Sequence, residues 1–560
     1  MPSGQEIITL QLGHYSNFIG THWWNIQEAG FDYNSEVLSE INHDVLLREG
    51  RTLKDETTFT PRMLLVDLKG SLNTISERGD LYDDQELPDV NKIEWTGDVD
   101  LKQLPRGEKN EYLRDLEEEE QALQRGDVVG AQSLIGSKKY ELNSDVKVWS
   151  DILRPRFHPK SVNIINDYCH GSDSRKFDIF NLGTNIWKTE QFEENFCDRI
   201  RNFAEECDNL QGFHMLLDCY DGFGGLAVSA LQHIDDEYSS KTTLAFPVLP
   251  AAYEYTTTLA DSIRTVNTAL SFRGLAEHAS LFAPLCMGSL GWRQPGPPKE
   301  FKYLNYNAVL SYHTSAILAV ALDTLTMRHR LRAKPQERLS TLANALGRLG
   351  RRATAVKAGI PFPLAGDGDA GFLLEALEAW DGPLWHSLSP SCGDLEAERI
   401  WMQSVVLRGV GQERLKSPTS MRKNQDGNPA YSCTTVEEML KLFLYCCSYA
   451  TASHVTSVGQ PCNVGAPFPH IFTEDIGIDG FLYPKTRSND IGVSTIPVIA
   501  GLHSCRSVGS MLESLHSEAS RLRINKLHGF GEAGLEEDEY KECIAQLADF
   551  RECYHEEFDV

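Results

Sequence analysis

No apolar run in the 560-residue sequence approaches the roughly 20 residues that a bilayer-spanning helix requires; the best, residues 316–322, is closed by Asp323. Any association with a membrane is therefore expected to be peripheral. Basic residues are scarce as well: 53 Lys and Arg stand against 80 Asp and Glu, a formal net charge of −27. A nucleic-acid surface needs a basic patch that displaces counterions, so no nucleic-acid partner is expected. The 13 cysteines are scattered, with one adjacent pair at Cys446 and Cys447 and no CxxC. That spacing indicates neither a zinc site nor a disulfide framework, and free buried thiols are the expected state. The opening MPSGQEIITLQL lacks both the apolar stretch of a cleavable signal and the arginines of a transit peptide, which points to the cytoplasm. No catalytic triad or metal cluster emerges either. His14, His158, His170 and His233 stand singly among dissimilar neighbours, as packed or surface histidines do.

What is present is organised around residues 205–238, EECDNLQGFHMLLDCYDGFGGLAVSALQHIDDEY. Phe213, Met215, Leu216 and Leu217 make a short apolar run of strand length; Asp221, Gly222, Gly224 and Gly225 form a turn. Ala227, Leu231, Ile234 and Tyr238 then recur at helical spacing, with Gln232, Asp235 and Asp236 turned to water. Open α/β sheets hold phosphates at such turns, because free backbone N–H groups and the helix dipole converge there. Phe223 interrupts these glycines, however, and the carboxylate of Asp221 would repel a phosphate at close range. A nucleotide site and a plain strand-to-helix turn both fit the residues. A second unit of this kind opens the chain: Ile8, Leu10 and Leu12 alternate as a strand, Gly13 starts a loop, and Ile19, Trp23 and Ile26 share a helix face.

These blocks resemble tubulin. The LQGF phrase (residues 210–213), with the glycine turn and the acidic residues before Tyr238, is similar to the tubulin glycine loop and its flanks. GHYSNFIG (13–20) resembles the first nucleotide loop, GQCGNQIG, with Gly13, Asn17, Ile19 and Gly20 matching and His14, Ser16 and Phe18 departing. TPRMLLVDLKG resembles PRAILVDLEPG, but Lys69 replaces a glutamate: a carboxylate there could organise hydrated magnesium, whereas an ammonium could only pair with phosphate. YLNYNAVLSYHTSA (303–316) resembles YGDLNHLVSATMSG at the start of the central helix. That likeness would set Tyr303 to stack on a base and Asn307 to read its edge, although a capped helix start explains both equally well. Residues 242–249 read as a strand in which Pro247 favours an end or edge. Arg264 stands at the place of a ribose-contacting acid. Residues 360–363 and 402–409 resemble strands of tubulin's second domain, and residues 527–540 its C-terminal helical hairpin.

Two tubulin features have no counterpart. Residues 83–145, with the acidic run Glu117 to Glu120, replace the region of a further phosphate loop and read as an inserted, partly disordered surface segment. After the central helix, RAKPQERLSTLANAL lacks the asparagine and acid of GxxNxDxxE, which complete a neighbouring subunit's site. Glu337, the nearest carboxylate, is expected as a favourable charge at a helix N-terminus.

LQLGHYSNFIGTHWWN, TPRMLLVDLKGSL and VWSDILRPRFHPKSVNII together resemble the Misato family, tubulin-related proteins associated with mitochondrial distribution and morphology. The resemblance implies a tubulin/FtsZ-like α/β fold. A Rossmann-like parallel-sheet domain would occupy residues 1–330, with the inserted acidic segment 83–145 and a central helix from about 305; a second α+β domain would span 331–510, and C-terminal helices 511–560. The implied role is a non-catalytic regulator of mitochondrial distribution, morphology and fusion, cytoplasmic and peripheral on the mitochondrial outer membrane. Its partners would be that membrane surface or its proteins, with tubulin or a chaperonin as further candidates. The expected cleft comprises Gly13, Asn17, Gly222, Gly224, Gly225, Tyr303 and Asn307, with no metal; no cofactor is certain, and GTP or GDP is what such a cleft would take. Two other classes remain open on the sequence: a GTP-hydrolysing filament former, which needs an acid presented across an interface, and a cofactor of tubulin or chaperone complexes in spindle and microtubule assembly, which needs none.

Overall fold

The computed structural model describes residues 5–31, 39–51, 57–75, 81, 107–125, 135, 138–172, 175–253, 256–290, 292–332, 337–393, 399–418, 420, 429–447, 449–488 and 490–555. The alternating start of the chain becomes β1 (Ile7–Leu12), and Gly13 leads into α1 (His14–Ala29). A hairpin of β2 (Leu47–Arg51) and β3 (Thr57–Pro61) precedes β4 (Met63–Lys69). There follow α2 (Glu111–Gln124), β5 (Val162–Cys169), α3 (Phe180–Trp187), α4 (Glu190–Glu205), β6 (Gly212–Asp218), α5 (Gly222–Glu237), β7 (Thr242–Leu249) and α6 (Thr258–His278). Two-residue strands β8 (Leu281–Phe282) and β9 (Leu285–Cys286) finish a parallel sheet of order β5-β4-β1-β6-β7-β8, with β9 also on β7.

Strands buried on both faces carry apolar residues at nearly every position, as a parallel sheet covered by helices requires. Alternation then decides which layer each side chain joins. Leu65, Leu216, Leu244 and Phe246 face α1 and the central helix α7 (Ser311–Leu325), while Leu64, Val66, Met215, Leu217 and Ala245 face the layer of α4, α5 and α6. Helix α7 is buried on every side, between α1 and a second, mixed sheet. After α8 (Leu339–Leu346), that sheet is built from β10 (Ala355–Gly359), β11 (His386–Ser387), β12 (Arg399–Arg408), β13 (Tyr449–Ala450), β14 (Ser453–Val458) and, beyond the small β15 (Cys462–Asn463) and β16 (Thr495–Ile496) pair, β17 (Val498–Cys505). Its order is β11-β10-β17-β12-β13, with β14 also on β12; the short α9 (Leu373–Glu378) and α10 (Val436–Cys447) cover it. The chain closes with α11 (Arg506–Ser520), α12 (His528–Glu532) and α13 (Glu537–Glu552); α11 and α13 pack on α6. Among the described residues no helix is long and apolar enough to cross a membrane.

Five local expectations change. The central helix starts at Ser311 rather than near 305, because Leu304 bridges to Phe472 and the Asn305 N–H donates to Ile471 O (2.7 Å), which holds that stretch extended. Pro247 lies inside its sheet. The backbone there faces β8 and β9, as Ala245 O does in accepting from Ala283 N (2.8 Å), and the chain leaves the sheet at Ala283 and Pro284, so no partner calls for the missing N–H. The strand expected at 360–363 is β10, immediately upstream. Within the acidic segment, residues 82–106, 126–134, 136 and 137 lie outside the described residues; α2 exposes Glu117 and Glu118, leaves Glu119 and Glu120 half-buried, and sends Tyr112 and Leu113 into the main core. The C-terminal helices begin at Arg506, directly after β17.

Candidate functional site

From β1 the chain moves to β4 and β5 on one side, then returns to β6 on the other. The crevice beyond the carboxyl ends of β1 and β6 is therefore the topological switch point, the place where open α/β sheets bind ligands. Gly13 ends one wall and Asp218, the last residue of β6, ends the other. Asp218 is fully buried. Its Oδ1 accepts the Ser16 N–H (2.8 Å) and the Ser16 hydroxyl (2.6 Å), and its Oδ2 accepts the Tyr15 N–H (2.9 Å) and the Tyr220 hydroxyl (3.3 Å). The carboxylate thus sits on the first turn of α1, where the helix dipole favours an anion. Gly13 permits this approach: its φ is 126°, and a Cβ there would lie 2.3 Å from Asp218 Cγ. Burial pushes the Asp218 carboxyl up to about 6, against the lowering effect of the Ser16 and Tyr15 hydrogen bonds.

Across β1, on β4, Asp67 is also fully buried. It accepts from Trp149 Nε1 (2.8 Å), Asn17 Nδ2 (3.1 Å) and the Leu68 N–H (2.8 Å), and His14 Nδ1 lies 3.1 Å from it. Burial opposes its charge, but His14 and these hydrogen bonds hold its carboxyl below the usual range. The His14 ring stacks on His170 at 3.8 Å. These two histidines are therefore not isolated: the β5-β4-β1 order brings the end of β5 beside the β1–α1 turn. Burial and the neighbouring His14 drive His170 down to about 4.

The glycine turn is packed from behind. Asp221 caps α5 by accepting the Phe223 N–H (2.9 Å), and the Gly222 N–H donates to Phe177 O (3.0 Å). A Cβ would come within 2.8 Å of the Phe177 ring at Gly222, 2.3 Å of Ser271 Oγ at Gly224 and 1.9 Å of Phe180 O at Gly225. These three glycines let α3, α6 and Phe177 close on α5. Burial, then the charge of Asp218, raises Asp221 well above an ordinary carboxyl. Asn267 ties the surrounding loops, accepting the Phe180 N–H (2.8 Å) and donating to Asp178 O (2.7 Å) and Tyr220 O (2.8 Å). Arg264 pairs with Asp261 and stacks over Tyr253 at 3.8 Å.

Of the residues expected to form one cleft, Gly13 and Asn17 lie at the β1–α1 turn and Gly222, Gly224 and Gly225 at the adjacent β6–α5 turn. Asn307 is exposed in the turn before α7, its Oδ1 accepting the Val309 N–H (3.0 Å); that end of α7 meets α1 through the Tyr15 hydroxyl, which donates to Thr314 Oγ1 (2.9 Å). Tyr303 lines a different pocket, of about 460 Å³, with Phe301, Ile360, Pro361, Trp380 and Leu482. Glu337 pairs with the buried Arg328, whose Nη1 also donates to Ser404 Oγ (3.0 Å), instead of standing in the first turn of α8. Sequence reasoning missed Asp218, Asp67 and Trp149. The available signal was an aspartate at or near the end of an apolar strand, in FHMLLD and MLLVDL, since a buried carboxylate must find donors.

The sequence matches the family model described as Misato Segment II tubulin-like domain over residues 5–118 and that of the tubulin domain over residues 140–331. Gly13, Asn17 and Asp67 fall in the first match and Asp218 in the second. Protein misato homolog 1 of Pongo pygmaeus is 35% identical over 99% of this chain and 98% of its own length. Protein misato of Drosophila melanogaster is 34% identical over 98% of each chain, and protein misato homolog 1 of Homo sapiens 35% over 98% of each. With full-length likeness at this level, and a parallel sheet, buried central helix and second sheet of tubulin type, the chain belongs to the misato family of tubulin-like proteins.

Proposed function

We propose that this protein is a tubulin-like factor that turns over no nucleotide and acts through its surface, peripherally on the mitochondrial outer membrane, to govern mitochondrial distribution, morphology and fusion. The observation that carries the non-catalytic half is the Asp218 carboxylate on the amides of Tyr15 and Ser16. Phosphoryl transfer depends on positioned donors around the transferred group. Here the Tyr15 and Ser16 amides of α1 are engaged by Asp218, the first amide of α5 by Phe177 O and the next by Asp221. A phosphate would also have to enter beside two buried carboxylates. The ion pair of Glu337 with Arg328 supports a structural role for that carboxylate. The mitochondrial half is supported by the family resemblance alone.

Purified full-length protein is expected to hydrolyse GTP no faster than buffer. In cells, depletion should alter the spread and connectivity of the mitochondrial network, and re-expression should restore both. Salt or carbonate washing of isolated mitochondria should release the protein. Turnover above buffer would overturn the non-catalytic assignment; a network indifferent to depletion, or retention in the carbonate pellet, would overturn the mitochondrial role or its peripheral character.

A further inference from the structure

We propose that the Asp218 carboxylate is the built-in occupant of the anion position at the β1–β6 switch point, so that the folded protein excludes phosphate groups there and is complete without them. This deepens the non-catalytic reading above and rests on it for the premise that no turnover is required. A carboxylate offers about four acceptor directions. Those of Asp218 are matched by four donors: the N–H of Tyr15, the N–H and hydroxyl of Ser16, and the hydroxyl of Tyr220. A bound phosphate at a helix N-terminus uses the same kinds of donor. The group is fully buried, and Gly13 gives it the space a side chain would fill. Asp221 beside it is engaged with the Phe223 N–H, and Asp67, whose carboxyl His14 holds below the usual range, lies across β1. An entering phosphate would therefore have to expel Asp218 from a saturated set of donors, beside a second carboxylate.

The inference makes a position-specific prediction. Asp218→Ser removes the occupant while leaving the Tyr15 and Ser16 amides in place, and should raise the affinity for inorganic phosphate by about tenfold or more, the scale of a charge-assisted hydrogen bond. Asp218→Asn keeps the shape and an acceptor, and should remain blind to phosphate. Affinity is read by thermal shift and titration calorimetry on the full chain in phosphate-free buffer, with inorganic phosphate and GDP as probes. Wild-type protein should show no shift with either, and its acid extract should contain no stoichiometric guanine nucleotide. Nucleotide in the extract, a wild-type shift, a folded Asp218→Ser variant without gain, or phosphate binding by Asp218→Asn would each overturn the inference. Should Asp218→Ser fail to fold, the extract and Asp218→Asn decide. Nucleotide held but not turned over would overturn this inference and leave the proposed function standing; measurable turnover would overturn the non-catalytic half as well. A network indifferent to depletion would overturn the mitochondrial role and leave Asp218 as the occupant.

Discussion

Asp323, in the last turn of α7, is ion-paired with Arg408, the last residue of β12, so the central helix is fastened to the second sheet by a charge pair with both side chains buried. Arg330 Nη2 joins the same carboxylate at 2.8 Å. Trp23 Nε1 (3.1 Å) and Gln27 donate to it from α1. Three elements thus converge on one acid.

Asp323→Ala would leave Arg330 and Arg408 buried without their counter-charge. Removing one partner of a buried pair costs about 3–5 kcal/mol. The urea midpoint of the full chain should fall accordingly. Since Asn keeps the shape but loses the charge, Asp323→Asn should lose most of the same stability; a midpoint within error of wild type would mean that the arginines find other partners.

Gly13→Ala should be costly through contact and backbone together, because φ is 126° and the added carbon would meet Asp218. A residue forced into such a conformation costs about 1–3 kcal/mol before any clash. Asp218→Gly removes the clash but not the strain. A double-mutant cycle by urea unfolding should show the pair losing less than the sum of the singles; strict additivity would argue that the two positions do not touch.

Stability should fall as pH drops below about 6.5. Burial drives His22 and His214 down to about 3, and His329 and His503 well below their ordinary value. In that range the unfolded chain takes up protons that the folded chain refuses, so each such histidine removes up to about 1.4 kcal/mol per pH unit. Asp218 and Asp221 work in the opposite sense: raised by burial, they keep protons in the fold that the unfolded chain has lost, so their contribution declines as pH rises from about 4. Four histidines outweigh two carboxyls between pH 6.5 and 5. Urea midpoints at pH 7.5, 6.5 and 5.5 check the sign, and a rising midpoint toward acid would refute it.

Glu337→Ala separates a catalytic carboxylate from a structural one. The substitution strips the buried Arg328 of its ion-pair partner, so stability should drop by about 1–2 kcal/mol. GTP turnover should stay at the buffer rate before and after. Activity present in the wild type and lost in the variant would assign Glu337 a catalytic role.

Much of the fold was legible because its signals are short-ranged. The apolar runs at 213–217 and 242–249, the alternation through Leu10 and Leu12, and the helical stripe of Ala227, Leu231 and Ile234 each report on a few consecutive residues, and each became the element its period demanded. Start points and strand positions set by distant contacts moved, as where Phe472 and Ile471 delay α7 to Ser311, and the acidic segment holds a helix, α2, that packs into the core.

The sequence by itself determined the family, the element types and the two glycine turns, since these follow from local pattern and from blocks of matching residues. The tertiary structure alone decided what fills the space between the turns. Asp218 meets the amides of Tyr15 and Ser16 across some 200 positions of chain, and His14 meets His170 only because β4 sits between β1 and β5. A carboxylate at the end of an apolar strand announces that it needs donors, but strand order, fixed by the packing of whole layers, selects which donors it finds.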